Sequence, residues 1–296
     1  MNTLTKNSHI RILCTARSAQ KVDLKPAQDL MESWDLRVTY GKTIGAMHHQ
    51  MGGDVPLRIM DFQEALDDED IDAIWIARGG YGTVQLLDYI DFNAFAKANL
   101  KKLIIGYSDV TVLHGHLNTL GISSLHTFMP LELKNKPTAA IDSFKNALLG
   151  HEQVVSIPND GGLSIQEITA PVVGGNLSIL YSLLGSSSFP KASGCFLFIE
   201  DIDEYLYHIE RMMYGLKRAG HLDNLKGIIV GGMSDMRDHE IPFGKNAQEI
   251  ITDMTAGYDY PLIFNFPAGH IKDHRTLKLG VEMMVTITEK AITFTY

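Results

Sequence analysis

The chain has 296 residues, 45% hydrophobic and 21% charged, a globular mix that excludes a disordered or fibrous polymer and, at roughly 100 to 200 residues per domain, predicts two domains. Lys and Arg number 26 against 35 Asp and Glu, a formal charge of −9, which repels phosphate backbones and predicts no nucleic-acid partner. Cys14 and Cys195 match no metal-ligand or disulfide-framework spacing, the N-terminus lacks a secretory apolar run, and no window approaches the roughly 18 apolar residues of a membrane span, so we expect a cytoplasmic protein with no membrane partner.

In chain order, Ile10 to Cys14, Arg37 to Tyr40, Ala73 to Ala77 and Leu103 to Ile105 are short apolar or β-branched runs that read as buried strands. Pro26 to Trp34 and Phe62 to Leu66 carry helical patterns between them, the second entered through Asp61 as N-cap. This alternation predicts a parallel sheet covered on both faces. Lys134 to Gly162 is polar and breaker-rich around one short helical pattern at Ser143 to Leu149, so residues 136–165 are expected to link an N-terminal domain, 1–135, to a C-terminal domain, 166–296. Beyond it Pro171 to Asn176 and Cys195 to Ile199 read as strands, with a helix from Leu177 to Leu184 between them. Tyr205 to Arg218 is the clearest helix, because Ile209, Met212, Met213 and Leu216 share one face and Gly220 stands at the expected stop. Leu225 to Val230 and Leu262 to Phe266 supply further strands, and Val281 to Thr288 with Ala291 to Tyr296 form a closing hairpin across Glu289-Lys290.

Four segments carry residues capable of chemistry, each just past an apolar run. Gly106-Tyr107-Ser108-Asp109 follows the fourth strand and opens a helical stretch, a corner that exposes a serine hydroxyl and aims helix N-terminal amides at a developing oxyanion. The full G-x-S-x-G pattern is absent, since position 110 is Val, and the competing reading is a helix-capping serine. A capping box is excluded because position 111 is Thr. Arg78-Gly79-Gly80-Tyr81-Gly82 follows the third strand and precedes a helical pattern through Leu86, Leu87 and Ile90. It satisfies neither the dinucleotide nor the phosphate-loop pattern, which leaves a tight turn or a backbone wall beside the serine, with Arg78 free to hold a substrate carboxylate. Phe196 to Ile199 ends in Glu200, Asp201, Asp203 and Glu204. Such clusters are commonly solvated, but a carboxylate ending a buried strand is well placed to orient an imidazole, Glu200 first and Glu204 in reserve. His270 lies on a loop bounded by Pro267 and Gly269, accessible as a general base. A zinc site of His270 and His274 lacks the Glu of H-E-x-x-H; His114 and His116 point to nearly opposite helix sides, and His48-His49 and Asp238-His239-Glu240 read as surface groups.

Taken together, ARGGYGTVQLLDYID, IIGYSDVTVL, GGNLSILYSLLGSSSFP, FIEDIDEYLYHIERMMYGLKRAGHLDNLKGIIVGG and AGH followed by LKLG resemble, in this order, the serine LD-carboxypeptidase family, which includes the muramoyl-tetrapeptide carboxypeptidases and the microcin-C immunity peptidases. The resemblance runs from about Ile59 to Gly280. It implies an α/β fold in which a Rossmann-like N-terminal domain with a parallel sheet is joined to a β-rich C-terminal domain, and a catalytic triad of Ser108, Glu200 and His270 assembled across the cleft. The amide of Asp109 and the Gly79-Gly80 wall would then bind the oxyanion. It further implies no metal or organic cofactor, a homodimer, and a small peptide substrate with a free carboxylate, most directly murein tetrapeptide during cytoplasmic recycling. The alternatives are a microcin-C-type peptide-nucleotide, a peptide-binding protein with an idle serine, and a metal hydrolase using His270 and His274. The chain departs from the family pattern at Cys14-Thr15-Ala16-Arg17-Ser18, where a proline-serine turn is usual, at His126-Thr127-Phe128, where His-Gly-Pro is usual, and at Lys278, where proline is common.

Overall fold

The computed structural model describes residues 2–92, 95 and 102–296. The chain folds as an α/β protein around two sheets. In the first half lie β1 (His9–Leu13), β2 (Arg37–Tyr40), β3 (Ala73–Ile76), β4 (Leu103–Gly106) and β5 (Ser124–His126), all parallel to their neighbours. β3 and β4 are buried throughout, as expected of parallel strands covered on both faces. The period of two sorts their side chains cleanly: Ile10, Ile12, Ala73, Trp75, Leu103 and Ile105 enter one core, whereas Leu13, Ile74, Ile76 and Ile104 enter the other.

The second sheet takes β6 (Val154–Pro158), β7 (Gln166–Asn176), β8 (Phe196–Ile202), β9 (Gly227–Ser234) and β10 (Leu262–Ile263), and beyond β11 (Leu277–Leu279) the hairpin β12 (Glu282–Ile287) and β13 (Ala291–Thr295). Its order is β10-β9-β8-β7-β12-β13-β6, parallel from β10 to β7 and antiparallel from there on. β11 leaves this half and pairs antiparallel with β5, so the first sheet reads β11-β5-β4-β3-β1-β2. The helix Leu206–Arg218 buries Ile209, Met212, Met213 and Leu216, the face that the spacing predicts. Burying four such side chains is worth about 1.5 to 3 kcal/mol each before the entropic cost of ordering them.

Several element expectations are corrected. Asp61 is not an N-cap: the helix runs Val55–Asp67 and is capped by Asp54, whose side chain accepts from the Leu57 amide. The start lies where Asp54 is followed by Pro56 at the first turn, a proline the first helical turn tolerates because the amide it lacks has no intrahelical acceptor there. Asp61 is instead fully buried, accepting from the amides of Lys42 at 2.9 Å and Thr43 at 2.8 Å and from the Thr43 hydroxyl at 2.6 Å. The breaker-rich stretch holds a helix over Thr138–Leu149, ended by Gly150 at φ 77°, and the whole of β6. This short edge strand buries only Val155 and Ile157 and exposes Val154, Ser156 and Pro158, and Pro158 with the Asn159-Asp160-Gly161 turn marks the stretch as a loop. The pattern after Gly82 forms only the short 3-10 turns Thr83–Gln85 and Leu87–Tyr89, and β10 stops at Ile263, two residues before Asn265 turns to φ 63°.

Candidate active site

The carboxyl ends of β4 and β8 and the loop that follows β10 converge on one crevice, the position where open parallel sheets form ligand sites. Gly106 ends β4 at φ 159°, Tyr107 is extended, and Ser108 opens the 3-10 turn Ser108–Val110 that runs into the helix Thr111–Thr119. Ser108 has φ 58°, a left-handed conformation that costs a non-glycine residue about 1 kcal/mol or more and that pushes its side chain outward. The capping alternative is not what the side chain does. Neither the turn nor the helix has a side-chain cap bond, and Ser108 Oγ lies 3.2 Å from His270 Nε2.

The other face of that imidazole meets Glu200. Oε2 of Glu200 lies 2.7 Å from His270 Nδ1 and accepts from the His270 amide at 3.2 Å. Glu200 is fully buried, and its Oε1 has no hydrogen-bond partner among the described residues. Gly269, at φ 100°, makes this approach possible: a Cβ there would stand 2.7 Å from Cβ and Oε2 of Glu200. The loop is pinned from behind, where Gly232 donates to the Ala268 carbonyl at 2.9 Å and the Ser234 hydroxyl to the His270 carbonyl at 2.9 Å. Burial alone would lower the His270 pKa, but the hydrogen bond and charge of Glu200, helped by Glu132 and Asp201, outweigh it and hold it above the ordinary value. Glu204 does not reach this site; it pairs with His208.

The glycine loop forms the facing wall. Gly79 lies beside the nucleophile, since a Cβ there would be 3.4 Å from Ser108 Cβ and Oγ. The loop is stapled from beneath: buried Arg58 donates to the carbonyls of Thr15 at 2.8 Å and Gly82 at 3.1 Å, and Asp109 Oδ2 accepts from the Thr83 amide at 2.9 Å. Burial raises the Asp109 pKa. The side chain of Asp109 is thus a brace for the wall, while its amide stands in the first helical turn, where amides have no intrahelical acceptor. Arg78 is exposed and donates to the Ser18 carbonyl at 3.4 Å.

Arg17, Arg78, Gly79, Gly80, Tyr107, Ser108, Met129, Glu132 and His270 enclose an open cavity of about 130 Å³. Arg17, Tyr107 and Glu132 were not singled out by the sequence reading. Tyr107 lay in plain view within the Gly-Tyr-Ser-Asp step; its ring packs 4.7 Å from those of both His270 and His274, and its hydroxyl donates to Glu132. Glu132 also accepts from the Met129 amide at 3.1 Å, a local 3-10 contact with no signature of catalysis. His274 does not join His270 as a ligand pair: it is buried, with Nε2 3.2 Å from His126 Nδ1, and burial holds both of these pKa values well below normal. His114 is buried between Ser124 and the Gly106 carbonyl, and His116 Nδ1 lies 3.0 Å from Ser188 Oγ. His48, His49 and the Asp238 to Glu240 run are exposed, as expected.

Residues 10–127 match the sequence pattern of the LD-carboxypeptidase N-terminal domain, and residues 169–285 that of the LD-carboxypeptidase C-terminal domain. The murein tetrapeptide carboxypeptidase of Pseudomonas aeruginosa is 28% identical, over 81% of this chain and 80% of that protein. The microcin C7 self-immunity protein MccF of Escherichia coli is 26% identical, over 90% of this chain and 86% of its own. The crystal structure of a muramoyltetrapeptide carboxypeptidase from Oxalobacter formigenes superposes with a TM-score of 0.86 at 25% identity, covering 96% of this chain and 98% of that one. Among the described residues no helix is long and apolar enough to cross a membrane.

Proposed function

The chain belongs to the LD-carboxypeptidase family of serine peptidases, and from that premise we propose that it hydrolyses, in the cytoplasm, the L,D-amide bond before the terminal D-alanine of murein tetrapeptide. The observation that carries this reading is the relay from a strained Ser108 through His270, 3.2 Å away, to a buried Glu200 at 2.7 Å. Ser108 Oγ attacks the scissile carbonyl while His270 Nε2 takes its proton, and Glu200 fixes the tautomer and stabilises the imidazolium. The same proton passes to the leaving amine, D-alanine departs, and a water deprotonated by His270 cleaves the acyl-enzyme. The amide of Asp109 and the Gly79-Gly80 wall serve as oxyanion donors, each worth about 3 to 4 kcal/mol of barrier.

Two features favour a small leaving residue with a free carboxylate. The cavity of about 130 Å³ is well below the roughly 300 Å³ at which drug-sized pockets begin, and Arg78 offers a cation at its edge. We propose two domains, 1–135 bearing the nucleophile and 166–296 bearing Glu200 and His270, with 136–165 between them, and a homodimer in solution. The relationship to a microcin self-immunity protein over 90% of the chain supports a second reading, hydrolysis of a peptide-nucleotide amide. Incubation with both substrates separates them, by release of D-alanine or of an aminoacyl-adenylate analogue. Ser108→Ala must abolish whichever is seen, with a loss of about a millionfold in turnover. An Ser108→Ala protein as active as wild type ends the serine mechanism.

A further inference from the structure

We infer that Arg17, on the turn after β1, is a specificity-determining residue that binds the free carboxylate of the leaving amino acid jointly with Arg78; the inference rests on the carboxypeptidase reading above. Arg17 lines the same cavity as Ser108 and His270, and its place there is built into the backbone. An isolated antiparallel bridge to Met51 holds its main chain. Its side-chain stem lies across Gly80, where a Cβ would stand 2.7 Å from Cδ and 2.9 Å from Nε of Arg17. Gly80, at φ 115°, therefore does more than turn the chain: the missing side chain is the channel through which the guanidinium reaches the nucleophile's cavity.

The charge balance points the same way. Arg11, Arg37, Arg237 and Arg275 each pair with an aspartate, at Asp68, Asp70, Asp203 and Asp273. Among the described residues Arg17, Arg58, Arg78, Arg211 and Arg218 have no carboxylate partner, and of these five only Arg17 and Arg78 line the cavity of the nucleophile. Glu132, the one carboxylate in the cavity wall, is already engaged by the Tyr107 hydroxyl and the Met129 amide, with Lys136 Nζ 3.7 Å away. Two uncompensated guanidinium groups beside a serine nucleophile complement one anion, and their fork geometry matches a planar carboxylate. The α-carboxylate of the residue being released is two bonds from the scissile nitrogen, which places it in this small cavity when Ser108 attacks.

The test is calorimetric titration of Ser108→Ala protein, which cannot turn the ligand over, with murein tetrapeptide and with its C-terminal carboxamide. With Arg17 in place the free acid binds at least tenfold more tightly than the amide. Arg17→Ala in the same background lowers the acid preference severalfold and leaves amide affinity unchanged, Arg17→Lys, which keeps the charge without the fork, loses less, and Arg17→Ala with Arg78→Ala brings acid affinity down to that of the amide. Equal binding of acid and amide with Arg17 present, binding of neither, or a preference undiminished by Arg17→Ala overturns the inference. D-Alanine release by the unsubstituted enzyme without an acid preference defeats Arg17 and leaves the proposed function standing; a preference without release does the reverse.

Discussion

Replacing Glu200 with Gln preserves the shape of the side chain and removes its charge. In the wild type, Oε2 serves both Nδ1 and the amide of His270, at 2.7 and 3.2 Å, while Oε1 faces a site without a partner among the described residues. If the Gln oxygen occupies the Oε2 position, its NH2 takes the place of Oε1, which has no partner among the described residues, and an unsatisfied buried donor costs about 1 to 3 kcal/mol. If the amide flips, its NH2 faces Nδ1 and forces the wrong tautomer. Either way the imidazolium formed when Ser108 loses its proton has no counter-charge, and the equivalent change in a serine-protease triad lowers turnover about ten-thousandfold. We expect a loss of about 10³ to 10⁴, or about 4 to 5.5 kcal/mol of barrier, with KM nearly unchanged. The assay is D-alanine release at saturating tetrapeptide, with a thermal melt to confirm folding. A variant that keeps more than a tenth of wild-type turnover refutes the role given to Glu200. The same variant tests the pH dependence. A general base must be neutral, so kcat/KM climbs as pH rises through the His270 pKa, which lies above its ordinary 6.5 despite burial, because Glu200, Glu132 and Asp201 favour the cation. Glu200→Gln moves that acidic limb to lower pH. For stability the sign is opposite: the folded state favours protonated His270, so this contribution is complete below about pH 6.5, the unfolded value, and fades as pH rises through the folded one.

Ser108→Gly and Ser108→Ala both delete the hydroxyl, but only glycine is unstrained at φ 58°; the glycine variant should melt about 2 °C higher, for about 1 kcal/mol in a chain of this size, and equal melting by calorimetry would show that the corner stores no strain. Gly269→Ala puts a methyl group 2.7 Å from Glu200 Oε2, and the displaced imidazole should cost at least about a hundredfold in kcat; a fully active variant would mean that the loop has slack. Asp61→Ala strands the buried amide and hydroxyl of Thr43 and frees the half-buried amide of Lys42, at about 1 to 3 kcal/mol per buried donor. Urea denaturation should register a loss of about 3 kcal/mol or more, and a change below 1 kcal/mol would mean that water replaces the carboxylate.

How much of this was legible in the sequence follows the range of the interactions involved. The strands that carry Ser108 and Glu200, and the helix face of Ile209, Met212, Met213 and Leu216, could be read because periodicity and burial are written in neighbouring residues. Ser108 follows β4 closely, as the apolar run predicts, but Glu200 lies inside β8, which continues to Ile202, and His270 comes seven residues after β10 ends at Ile263. Asp61 was misread because a polar residue beside a helical pattern looks like a cap, whereas its bonds go to Lys42 and Thr43, 19 and 18 residues away. Glu132 and Arg17 gave no signal, since each acquires its role from residues brought up by other elements.

The amino-acid order by itself determined most of the strands and helices, their buried faces, and a serine at a strand-to-helix corner, because local sterics, hydrophobic periodicity and turn chemistry act within a few residues. Only the tertiary structure decided that His270 meets Ser108 across 162 positions and Glu200 across 70, and that Glu204 binds His208 instead. It alone moved β11 into the first sheet and laid Arg17 over Gly80. Those choices depend on which sheet edges pair and which backbones lack a Cβ at the point of contact, and a hydrogen bond of about 3 Å forms only after the whole packing has fixed both ends.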